Sequence, residues 1–312
     1  MESVISNSLT PMLTIFSIPK AFRRQIGVIQ TNAIRSWTLL RPKCEVILFG
    51  DEEGTAEIAS DLGIRHILDV ERNEYGTPLV NSMFTLAQNA AKHQLMCYIN
   101  ADIILMNDFM PAISRVKKQS FLLVGRRWDT NLEHLVDFNN PDWEAQLRGD
   151  MQTKGTLHPK SGIDYFAFTR GLYSSIPPFA IGRTAWDNWL VYKAYSLKVP
   201  VIDATKAITA IHQNHGYPYP MEKTDIWKGP ESERNRELMG GKDFAFSMDY
   251  ATFVLTPQGL SPTFTPRYLY FRIRAIPVLY PHFHFLLTLF RLFEKFVIGI
   301  RSIVKSSRRK CV

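Results

Sequence analysis

The chain has 312 residues, 46% hydrophobic and 21% charged, which is a globular composition and excludes disorder. Its formal net charge is +8, and the segment from Tyr268 to Val312 holds nine Arg or Lys against the single acid Glu294, so the tail accounts for the whole imbalance. Cys44, Cys97 and Cys311 are too few and too scattered for a disulfide framework or a zinc site. Cys44 and Cys97 lie in apolar runs and are expected in the core.

In chain order, Met12 to Ile18 is an apolar, β-branched run that predicts a first strand. Ile26 to Leu40 carries apolar residues at helical spacing, and Cys44 to Phe49 predicts a second strand, closed by Gly50-Asp51-Glu52-Glu53-Gly54. A short helix over Ala56 to Leu62 and a strand over Ile64 to Val70 follow. Pro78 to Ala91 reads as a helix with Pro78 in its first turn. Leu95 to Leu105 is an apolar run interrupted by Asn100 and Asp102. Asp108 reads as the cap of a helix to about Val116, and Phe121 to Gly125 as another strand.

This alternation predicts an α/β fold, a doubly wound and mostly parallel sheet with right-handed crossovers. The first strand-helix connection lacks G-x-G-x-x-G, which disfavours a dinucleotide-binding dehydrogenase. Trp128 to Lys160 breaks the pattern with polar and aromatic residues and reads as an active-site loop or an insertion. Order returns with an alternating strand at Ile163 to Phe168, a helix from Ala185 to Ser196 and a strand from Val199 to Ala204. Ala207 to Ile211 leads into His212-Gln213-Asn214-His215, and Glu222 to Lys242 reads as a charged surface segment.

The stretch Leu95 to Leu105 organises the functional reading. A strand apolar on both faces belongs in the middle of a parallel sheet, and polar residues at its end fall on the carboxyl edge where such sheets bind ligands. A carboxylate there can hold a divalent cation against a diphosphate. The same residues can also simply turn the chain into the next element.

With these motifs in place, residues 11–217 resemble the nucleotide-diphospho-sugar transferases of the GT-A fold. The likeness rests on the opening strand, Asp51 after the second strand, Asn100-Ala101-Asp102, Trp186-Asp187-Asn188-Trp189-Leu190 and the late histidines. In that family a D-x-D motif binds Mn²⁺ or Mg²⁺ with the sugar-nucleotide diphosphate, and here Asn100 replaces the first Asp. The resemblance therefore gives the metal to Asp102, with His215 as a further ligand, and leaves Asn100 a hydrogen-bonding or ribose contact. It implies that Phe16, Ser17 and Pro19 line the nucleotide pocket, that Asp51 faces the base or ribose, and that Thr77, Pro78 and Asn81 close the pocket.

In inverting members of the family a carboxylate at a helix start acts as general base, which points to Asp187. Trp186 and Trp189 beside it would wall the acceptor site. Asp164 would orient an acceptor or donor hydroxyl, although a solvated strand carboxylate explains it equally. The implied activity is transfer of a sugar from a nucleoside-diphosphate sugar to a carbohydrate or other hydroxyl acceptor. A sugar nucleotidyltransferase and a non-catalytic, membrane-associated scaffold with a degenerate transferase fold are the alternatives.

The expected catalytic domain spans residues 11–266 and the tail residues 267–312. From Ala275 to Phe290 no residue is charged, but Pro277 and Pro281 interrupt the run, which is short for a membrane span. Its aromatic and aliphatic residues, followed by Arg308-Arg309-Lys310, read as an amphipathic helix lying on an anionic membrane surface. Packing against the catalytic domain is the competing reading, and nucleic acid is disfavoured because the aromatics are not interleaved for base stacking. No signal peptide is evident, so the expected location is cytoplasmic with peripheral membrane association.

Overall fold

The computed structural model describes residues 12–215 and 227–290. The chain divides into two compact units, Met1–Thr263 and Phe264–Val312. The first opens with β1 (Leu13–Ser17), α1 (Arg24–Thr38), β2 (Glu45–Phe49), α2 (Thr55–Leu62), β3 (Arg65–Ile67), α3 (Val80–Ala90) and β4 (Leu95–Ile99). It continues through β5 (Ile103–Leu105), α4 (Phe109–Ser114), β6 (Leu122–Val124), β7 (Trp128–Thr130), α5 (Trp143–Lys154), β8 (Thr156–Leu157) and β9 (Tyr165–Thr169). α6 (Trp186–Ser196), β10 (Val201–Asp203), β11 (Ala210–Gln213), α7 (Pro230–Met239), β12 (Phe253–Thr256) and β13 (Gly259–Pro262) complete it.

The strands form a nine-stranded sheet in the order β13-β12-β10-β6-β9-β4-β1-β2-β3 and a four-stranded sheet in the order β5-β11-β7-β8. The large sheet is mostly parallel, as the alternating pattern predicts, with β9 antiparallel to both β4 and β6 and β13 antiparallel to β12. β1 is buried along its whole length between β2 and β4, which explains its unbroken apolar character. Trp37 of α1 is fully buried and donates its indole N–H to the Ile103 carbonyl at 2.9 Å, tying the helix to the small sheet. Cys44 and Cys97 are buried free thiols, and burial pushes that of Cys44 up to about 12.

Four expectations need correction. Leu95–Leu105 is two strands, because Asn100–Asp102 breaks the run and β5 joins the small sheet. Pro78 does not open α3, since it bridges to Arg72 and Leu79 behind it is still extended. Asp108 makes no cap bond to α4, and its carboxylate instead accepts from the Thr209 N–H and from Arg148. The 128–160 segment is not a loop: β7, α5 and β8 form there, and Trp143, Leu147 and Met151 pack with Ile104, Leu132 and Ile211 in a second core.

Glu222–Lys242 includes α7, whose inward face is polar, with Glu231, Ser232 and Asn235 buried. Residues 216–226, which include the start of that segment, lie outside the described residues, as does the tail beyond Phe290.

The two sheets meet through buried amides. Asn32 of α1 donates to the Gln213 Oε1 at 2.9 Å and to the His134 carbonyl at 3.0 Å, and accepts from the Val136 N–H at 2.9 Å. Gln213 in turn donates to the Ile29 carbonyl at 2.8 Å and to the Asp102 carbonyl at 3.2 Å. Replacing Asn32 with Ala orphans these buried partners, and urea unfolding should show a loss of about 2 kcal/mol.

Candidate active site

Where β4 ends, the chain turns through Asn100, Ala101 and Asp102 before entering β5. The Asn100 N–H donates to the Asp164 carbonyl at 2.9 Å, and the Ile103 N–H to the Asn100 carbonyl at 3.1 Å. The Asn100 side chain is used at both ends: its Oδ1 accepts from the Tyr98 hydroxyl and its Nδ2 donates to Asp164 Oδ1, each at 2.7 Å. Asn100 therefore braces the corner with both ends of its amide.

Asp102 points the other way, toward β11. Its Oδ2 lies 3.2 Å from His215 Nε2 and 3.7 Å from His212 Nε2, while its Oδ1 is buried with no hydrogen-bond partner. Burial pushes the carboxyl up, but the His215 hydrogen bond and the His212 and Lys20 charges outweigh it and hold the group well below the usual carboxylate range. Asp102, His212 and His215 offer three ligand atoms within 4.8 Å of one another. An orphaned carboxylate oxygen beside two imidazoles suits a divalent ion.

Lys20 stands at this site because Gln30 of α1 grips its backbone, with its amide oxygen accepting at 2.6 Å and its amide nitrogen donating at 2.7 Å.

A chain of charged groups runs from there to Asp187. Arg127 donates to Asp129 at 2.9 Å and to Asp164. Asp164 is buried and accepts from Asn100 and Arg127, so it is not a solvated strand carboxylate. Asp187 lies in the first turn of α6. Burial pushes its carboxyl up to about 7; the Asn188 N–H opposes the rise and the Asp164 charge adds to it. Tyr98 is buried near Asp102, Asp164 and Asp187, and burial and these charges keep its phenol protonated as a donor.

The backbone just before Asp187 is strained. Ala185 has φ +87°, a conformation that costs on the order of 1–3 kcal/mol for a residue with a Cβ. α7 holds the strained turn in place. Asn235 accepts from the Ala180 N–H at 2.9 Å and donates to the Ala180 and Thr184 carbonyls at 2.9 and 3.0 Å. Glu231 accepts from Arg183 Nε at 2.8 Å and from Asn73 at 2.7 Å.

The remaining predicted residues divide. Phe16 is fully buried among Phe49, Phe84, Tyr98 and Phe168, and so belongs to the core instead of a pocket wall. Ser17 is also buried, its hydroxyl donating to the Ile99 carbonyl at 2.6 Å, and Pro19 is buried beside it. Trp186 packs edge-on against Tyr98 at 5.3 Å and Trp189 against Phe179 at 5.6 Å; both are buried, so neither presents an open ring to a sugar. Ala101 is buried within the corner. Asp51 is exposed and paired with Arg72. Thr77 donates its N–H to Asn73 at 2.9 Å, and the Pro78 carbonyl accepts from the Ile181 N–H at 3.0 Å. Asn81 keeps a buried Oδ1 without a partner.

No family model matches the chain, and no curated protein matches it. Among solved structures it is similar to the glucosyl-3-phosphoglycerate synthase of Mycobacterium tuberculosis, at 15% identity over 74% of this chain and 82% of that one, with a TM-score of 0.44. The complex of that synthase with Mg²⁺ and uridine diphosphate gives 14% identity over 74% and 80%, with a TM-score of 0.42. Its complex with Mn²⁺, uridine diphosphate and glucosyl-3-phosphoglycerate gives 15% over 74% and 81%, with a TM-score of 0.43. The roles assigned to residues of this chain rest on the geometry of its own site.

That geometry adds Lys20, Arg127, Asp129 and a ligating position for His212 to the residues legible beforehand. The three-residue spacing of His212 and His215 was a usable signal. Nothing local to Lys20, Arg127 or Asp129 sets them apart from surface charges.

Proposed function

We propose that the chain is a glycosyltransferase. It moves a sugar from a nucleoside-diphosphate sugar to a hydroxyl acceptor in a single inverting displacement, with a divalent cation held by Asp102, His215 and His212. The observation that carries the reading is the buried, unpartnered Oδ1 of Asp102 beside two imidazoles at the carboxyl edge of β4. When bound, the ion supplies positive charge against the diphosphate oxygens of the departing nucleotide. Lys20 adds a second positive charge at the same point, where it stabilises charge that grows as the glycosidic bond breaks.

Asp187 takes the acceptor hydroxyl proton as that oxygen attacks the anomeric carbon. A pKa of about 7 matches a base that must be free at neutral pH yet able to hold a proton in the transition state. Asp164 and Arg127 act behind it by setting the local charge. On the donor side, the buried and unpartnered oxygen of Asn81 is the group proposed to meet the nucleotide, with Thr77, Pro78 and Asp51 as further candidates.

The second unit supports a peripheral membrane role. α8 (Pro266–Leu279) and the turn after it expose Phe264, Leu269, Ile273, Tyr280, Phe283, Phe285 and Leu289, with Arg267, Arg272 and Arg274 on the same short segment. Apolar side chains flanked by cations suit the interface of an anionic bilayer. No described helix is long and apolar enough to cross a membrane.

Calorimetry on the full chain should show UDP or GDP binding that requires Mn²⁺ and disappears in Asp102→Ala; a folded protein that binds neither nucleotide with the ion would refute the donor site. Once a donor is known, Asp187→Asn should lower kcat by about 10²–10⁴-fold with nucleotide affinity unchanged. The wild-type rate should rise with pH through about 7 and then level off, since the base works only when deprotonated. Co-sedimentation should give binding to vesicles rich in phosphatidylserine and little to neutral ones, weakening as salt is added. Equal recovery with both vesicle types would remove the electrostatic part of that reading.

A further inference from the structure

Asp129 lies on β7, outside the corner that carries Asp102, yet three donors converge on its carboxylate. His158 Nδ1 is 2.6 Å from Oδ2, Arg127 Nε is 2.9 Å from Oδ1, and His212 Nδ1 is 3.1 Å from Oδ1. The last contact follows from the sheet itself, because β7 and β11 pair in parallel with Asp129 directly beside His212.

The other two donors fix the carboxylate plane. His158 is held by its own N–H, which donates to the Arg127 carbonyl at 2.9 Å. Its ring also lies against Gly162, where a Cβ would come within 2.5 Å of the imidazole, so only glycine leaves room for it. The His212 contact has the distance of a hydrogen bond without the alignment, and this buried nitrogen has no aligned acceptor. Across the ring, Nε2 stands 3.7 Å from Asp102. The two nitrogens of this one ring thus face two carboxylates, Asp129 and Asp102.

We infer that Asp129 is a positioning residue for the metal site, holding His212 through Nδ1 so that its Nε2 completes a set of two imidazoles and one carboxylate that selects a transition ion over Mg²⁺. The inference rests on the cation site proposed above and deepens it. An imidazole ligand takes its tautomer and its orientation from the partner of its second nitrogen, and loss of that partner weakens binding about 10–100-fold. Mg²⁺ favours a near-octahedral shell of oxygens and keeps its waters, whereas imidazole suits transition ions. Asn100 adds no second carboxylate to the set, and its amide already braces Tyr98 and Asp164.

The test uses the full chain and Mn²⁺ or Mg²⁺ alone, without nucleotide. Titration followed by electron paramagnetic resonance should show Mn²⁺ binding that excess Mg²⁺ displaces poorly, with pulsed spectra reporting two imidazole nitrogens on the ion. Asp129→Ala should weaken Mn²⁺ about 10–100-fold and leave one nitrogen coupling. In a His212→Ala background the same change should have no further effect, as expected if Asp129 acts only through that ring. If Asp129→Ala loses its circular dichroism, Asp129→Leu, of similar size and without an acceptor, takes its place with the same expected weakening.

Two nitrogen couplings and unaltered affinity in Asp129→Ala would overturn the inference. So would an equal further loss on top of His212→Ala, which would mark a structural role only. Folded wild-type protein that binds no Mn²⁺ would instead overturn the cation site itself.

Discussion

The corner at Asn100–Asp102 moves the chain from one sheet into another within three residues, and most of the site depends on how that corner is held. A backbone leaving a buried ladder must find other partners for its N–H and C=O groups. Here the large sheet supplies the Asp164 carbonyl on one side, and the small sheet supplies the Gln213 N–H and amide, at 3.3 and 3.2 Å from the Asp102 carbonyl, on the other. The Asp102 side chain consequently emerges at the seam, facing the strand that brings His212 and His215. The functional groups inherit their placement from the pairing of two sheets, so no single loop positions them.

Two carboxylates within this neighbourhood are driven in opposite directions. Asp102 has imidazoles and Lys20 around it and stays ionised throughout the ordinary pH range. Asp187 has burial and the Asp164 charge, which make its ionised form costly. The same side chain is thereby a permanent anion in one place and a readily protonated group in the other, and environment alone separates them. Strain at Ala185 fits this picture, since the turn that aims Asp187 is imposed by the buried contacts of Asn235 and Glu231.

The parts of the molecule legible in its sequence are those that obey a period. β1, β2, β4, α1 and α6 announce themselves because their burial follows an unbroken apolar run or a clear helical repeat. The corner was legible as two polar residues interrupting such a run, but the change of sheet was not, because pairing partners lie about a hundred residues away. α7 was hidden for a different reason. Its buried face is made of Glu231, Ser232 and Asn235, each satisfied by a polar partner, and a polar face reads as solvated whichever way it points. Phe16, Trp186 and Trp189 show the reverse error, since an aromatic beside a functional motif reads as a binding wall whether it faces the ligand or the core. Among the residues of the proposed site, Asp102, His215 and Asp187 stand out in the sequence by their places at strand ends and helix starts. Asp129 does not, because what brings it to His212 is a cross-strand pairing.

The named ionic side chains of the site also have a charge count. With Asp187 ionised, Asp102, Asp129, Asp164 and Asp187 bring four formal negative charges against two positive ones from Arg127 and Lys20, an excess of two that falls to one when Asp187, lifted to about 7, takes up a proton. Neutral histidines do not alter that sum. A divalent ion held at the proposed site would offset that excess before any anionic ligand had to face it.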